Sequence, residues 1–86
     1  MSRILPSDSE VFLLSFAQLD YALAIDPLQQ EYVQARLDIV ARLSRELGIT
    51  ELQLLARSQD TYTVAYKQGG ESRLIEFPFE EIEDFV

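Results

Sequence analysis

Apolar positions recur every three or four residues through the first half of the chain and every second residue through the second half. The change falls at Gly48. The first half therefore predicts helices and the second half predicts strands.

Ser7-Asp8-Ser9-Glu10 has the spacing of a capping box, with Ser7 accepting from the N3 amide and Glu10 reaching back to the cap amide. A helix from about Asp8 to Ala24 follows. On a helical wheel Phe12, Phe16, Leu19 and Leu23 form one apolar stripe, and Leu14, Tyr21 and Ile25 form a second on nearly the opposite side. A helix apolar on two sides lies between layers or faces a second subunit. Asp26-Pro27 restarts the chain, with Asp26 as N-cap, Pro27 at the first helical position and Gln29 at N3. The second helix runs to about Leu47. Gly48 terminates it, and Ile49 folds back on Leu43. Leu28, Tyr32, Val33, Leu37, Ile39, Val40, Leu43 and Leu47 cover an arc wider than one neighbouring layer needs. The short gap between the helices predicts an antiparallel hairpin.

Three strands follow. Glu51 to Arg57 is short and apolar. Thr61 to Lys67 alternates, with Tyr62, Val64 and Tyr66 on one face. Gly69-Gly70 supplies positive φ at both positions of a two-residue turn. Ser72 to Phe77 then returns, pairing Val64 with Ile75, Tyr62 with Phe77, Tyr66 with Arg73, Thr63 with Glu76 and Ala65 with Leu74. A three-residue loop at Ser58-Gln59-Asp60 puts Leu52, Leu54 and Ala56 on the Tyr62 face. A longer or shorter loop puts Leu55 there instead. Pro78 ends the last strand and opens a short helix with Phe79, Ile82 and Val86 roughly on one side. The expected fold is a single small α+β domain over residues 1–86. An antiparallel helical hairpin packs on a three-stranded antiparallel meander (α-α-β-β-β), with a short C-terminal helical turn.

Composition narrows the function. The 86 residues include no His, no Cys and no Trp, which removes the usual general base, thiolate chemistry, zinc knuckles and disulfides. Catalysis is not expected. Lys67 is the single lysine, and Asp20 is the lone carboxylate in an apolar stretch, placed to face a solvent gap or to pair with an arginine. The net charge of -8 argues against holding phosphates, and no stretch is long enough for a membrane span. No cofactor and no metal are expected. The N-terminus does not resemble a secretory signal, so the expected setting is the cytoplasm.

Charge is concentrated late. Residues 1–50 hold seven acidic and four basic side chains, and residues 51–86 hold eight and three. Phe79, Glu80, Glu81, Ile82, Glu83 and Phe85 alternate large apolar anchors with carboxylates, the pattern of a segment that docks into a basic-rimmed groove on a partner protein. The plain structural alternative is a terminal helix tucked onto its own domain. Leu14, Tyr21 and Ile25 are the candidates for self-association, as a homodimer through the helices. Tyr62, Tyr66, Lys67 and Arg73 cluster near one end of the hairpin, too few charges for nucleic acid. Asp38 and Arg42 have the spacing of an i,i+4 pair, and Arg36 falls inside the apolar arc. The function expected from these features is a small acidic protein–protein interaction module, an adaptor, assembly factor or regulator. The alternative is an antitoxin-like charge mimic that neutralises a basic protein.

Overall fold

The computed structural model describes residues 7–55, 58 and 60–84. Two helices, α1 (Ser7–Ile25) and α2 (Gln30–Leu47), precede three strands, β1 (Ile49–Leu54), β2 (Thr61–Gln68) and β3 (Glu71–Pro78), and a short helix α3 (Phe79–Glu83). The sheet is antiparallel in the order β1-β2-β3. The architecture is the expected α+β arrangement.

The core explains the order. Leu13, Phe16 and Ala17 of α1, Leu43 of α2, Ile49 of β1, Val64 of β2, Phe77 of β3 and Ile82 of α3 form one buried cluster. Every element contributes to it. The buried positions of α1, including Leu19 and Ala22, spread over more than half of its wheel, so α1 lies between layers. The stripe of Phe16 and Leu19 is buried. Leu14 and Tyr21 of the second stripe are half-buried and pack against the cluster, while Ile25 is exposed.

Several local features differ from the sequence expectation. The second helix starts at Gln30. Asp26 Oδ1 instead accepts from the Leu28 amide at 3.3 Å, and Gln29 becomes the N-cap. A short side chain that bonds its own backbone two residues on offers the chain a turn in place of a helix. Gly48 has φ 66°, and its amide donates to Leu43 and Ser44, the left-handed ending expected there. Side chains of the expected capping box at Ser7 and Asp8 lie outside the described residues, as do Ala56, Arg57, Gln59, Phe85 and Val86.

The β2–β3 register has every expected pair, and both turn glycines have positive φ, 60° at Gly69 and 84° at Gly70. β1 departs from expectation. It begins at Ile49, two residues early. Leu54 pairs with Val64 and Gln53 with Ala65, the register of the three-residue loop, but Thr50 pairs with Lys67. Glu51 and Leu52 thus stand opposite Tyr66 alone. This is a β-bulge, with Glu51 in the left-handed region at φ 54°. Its cause is the apolar phase. Strict alternation would put Ile49 on one face and Leu52 and Leu54 on the other. One extra residue lets all three reach the core.

Candidate functional site

The C-terminal segment is bound to its own fold. Ile82 is fully buried in the cluster, and Phe79 is half-buried. The Phe79 amide donates to the Asp60 carbonyl at 2.8 Å, Gln18 Nε2 of α1 to the Glu81 carbonyl at 2.8 Å, and the Tyr62 hydroxyl to Glu83 Oε2 at 2.9 Å. Of the candidate docking residues, Glu80 and Glu81 remain exposed. Phe85 lies outside the described residues. The Ile82 side chain is taken up by the core and offers a partner nothing in this form.

The other charged candidates are locally paired. Arg36, expected within the apolar arc, donates Nε to Asp20 Oδ1 at 2.9 Å and lies 5.1 Å from the centre of the Phe16 ring. This pair joins the two helices. Asp38 and Arg42 do not meet: Asp38 accepts from Gln34 at 3.0 Å, while Arg42 approaches Glu46 at 3.5 Å and lies over Phe12. Lys67 pairs with Glu51 at 3.6 Å and Arg73 with Glu71 at 2.9 Å. Tyr21 meets Tyr62 edge-on, 5.9 Å between centroids. The self-association stripe is thus split. Leu14 and Tyr21 face the chain's own sheet and α3, and Ile25 faces solvent.

One surface joins residues from both candidate sets. Glu10, Val11 and Leu14 of α1, Ile75, Glu76, Phe77 and Pro78 of β3, and Glu81 of α3 line a shallow groove of about 360 Å³. Its floor is apolar. Val11 of that floor is 55% exposed. Its rim carries three exposed carboxylates, Glu10, Glu76 and Glu81, and no cation lines it. The groove exists because the helical hairpin makes its principal sheet contacts with β1, whereas β3 is met by α3. Leu14 and Glu81 were legible as candidates. Val11 lay outside both stripes, and Glu76 read only as a strand residue. No pattern in the sequence marks these two, because the groove forms between elements far apart in the chain.

Among the described residues no helix is long and apolar enough to cross a membrane, and no group of three acidic side chains converges to hold a metal ion. Comparison with protein-family models, curated proteins and solved structures finds no match to the chain.

Proposed function

We propose that this chain is a non-catalytic protein-interaction module whose groove between α1, β3 and α3 receives a basic segment with apolar anchors from another protein. The carrying observation is the pairing of an apolar floor with an all-acidic rim in one groove. An apolar floor supplies affinity through area removed from water, and the rim selects sign and register. The chain's net charge of -8 reinforces the choice of a cationic partner. Adaptor, assembly factor and regulator are all roles of such a module.

The test is selection of random peptides displayed on phage against the full chain. Selected sequences are expected to combine Lys or Arg with Val, Ile or Leu. Their binding is expected to weaken about tenfold or more against Val11→Lys, which places a charge on the floor. Val11 is exposed, so that variant is expected to keep its far-ultraviolet circular dichroism. Selected peptides that bind Val11→Lys as tightly as the original chain would refute the groove.

A further inference from the structure

β3 is an edge strand of the sheet, and the groove meets the C-terminal half of that edge, from Ile75 to Pro78. In a two-residue hairpin the residues flanking the turn exchange both backbone bonds, and bonding then alternates along the ladder. From the register, Glu71, Arg73, Ile75 and Phe77 direct their backbone groups to β2. Ser72, Leu74 and Glu76 direct theirs outward, away from the sheet. The bond from the Phe79 amide to the Asp60 carbonyl, one step beyond the Thr61–Pro78 pair, keeps this phase. Pro78 falls in the outward set. Its missing N–H therefore costs β2 nothing and ends the run of free donors.

We infer that the groove's occupant binds as a fourth strand on β3, hydrogen-bonded to Ser72, Leu74 and Glu76. This rests on the groove reading above and specifies how the segment lies there. Alternate side chains of an added strand fall on opposite faces of the sheet. Those on the helix side pass over Val11 and Leu14. Those on the open side stand beside the exposed Leu74 and the Glu76 carboxylate. A segment alternating valine-like and lysine-like residues satisfies both. A second copy of this chain fits worse: each copy carries a net charge of -8, so two copies repel where a cationic segment is attracted. Charge on an edge strand is a common bar to self-pairing, and here its sign also selects a cationic visitor.

The experiment uses three capped octapeptides of alternating Lys and Val: unmodified, N-methylated at every Lys, and N-methylated at every Val. Each is titrated into the full chain and followed by amide NMR. The unmodified peptide is expected to shift the amides of Ser72, Leu74 and Glu76. One methylated peptide is expected to bind about tenfold more weakly or worse, and the other to bind nearly as well, because only one edge of the added strand faces β3. Loss on Lys methylation indicates antiparallel addition. Loss on Val methylation indicates parallel addition. If both methylated peptides bind as the unmodified one does, the peptide docks by side chains alone; strand addition is overturned and the groove stands. If the unmodified peptide shifts no groove residue at millimolar concentration, both readings fall. Shifts of the three edge amides with protein concentration alone would assign the edge to a second copy.

Discussion

Glu51 shows how one backbone angle settles an ambiguity in the apolar pattern. A non-glycine residue in the left-handed region is strained by its Cβ against the following carbonyl, by about 1–2 kcal/mol. The strain is tolerated because it carries Leu52 and Leu54 to the face that buries Ile49. Glu51 also approaches Lys67 at 3.6 Å, but both side chains are exposed and such a pair contributes little. Glu51→Gly is therefore expected to hold or raise stability, by up to about 1 kcal/mol, in urea unfolding followed by circular dichroism. A clear loss would mean that the side chain, and not the bulge geometry, matters at this position. Alternation alone could not show the bulge. Ile49-Thr50-Glu51-Leu52-Gln53-Leu54 contains a phase slip, and the slip has either a shorter strand or an extra residue as its solution.

At the level of elements, the legible parts were those set by short-range chemistry. Gly48 and Gly69-Gly70 require positive φ, and the hairpin register follows from the two-residue turn. The start of α2 was misread because Asp26-Pro27 suits two outcomes, a cap or a turn, and the Asp26–Leu28 bond selects the turn. The C-terminal segment was legible as amphipathic but ambiguous in destination. Its anchors fit a foreign groove or the chain's own core equally well by pattern, and only the arrangement of α1, β2 and β3 around Ile82 decides. Ile82→Ala is accordingly expected to lower unfolding stability by about 2–4 kcal/mol, as deletion of a fully buried side chain does. If α3 were instead a detachable docking segment, the same change would leave the denaturation midpoint in place. The groove itself was the least legible feature. It depends on which half of the sheet the helices cover, a matter of packing between elements far apart in sequence.

For the molecule as a whole, charge and apolar surface make opposite demands on a partner, and salt separates them. A net charge of -8 on 86 residues gives a field that any cationic protein would feel at low ionic strength. A charge mimic would hold its target by that field alone, and its affinity would collapse as the screening length shortens. The groove offers only Glu10, Glu76 and Glu81 at its rim, over a floor of Val11, Leu14, Ile75 and Phe77 whose burial is insensitive to moderate salt. Raising sodium chloride from about 0.05 M to about 0.5 M is therefore expected to weaken a selected basic peptide by roughly tenfold. Glu76→Lys is expected to reduce both the affinity and its salt dependence, since it removes one attraction and adds one repulsion at the rim. Isothermal titration at several salt concentrations reads both quantities. A loss of several orders of magnitude, unchanged by Val11→Lys, would transfer the function from the groove to the overall charge and favour the mimic. A modest loss that Val11→Lys deepens would fix the floor as the source of affinity and leave the rim the task of choosing what enters.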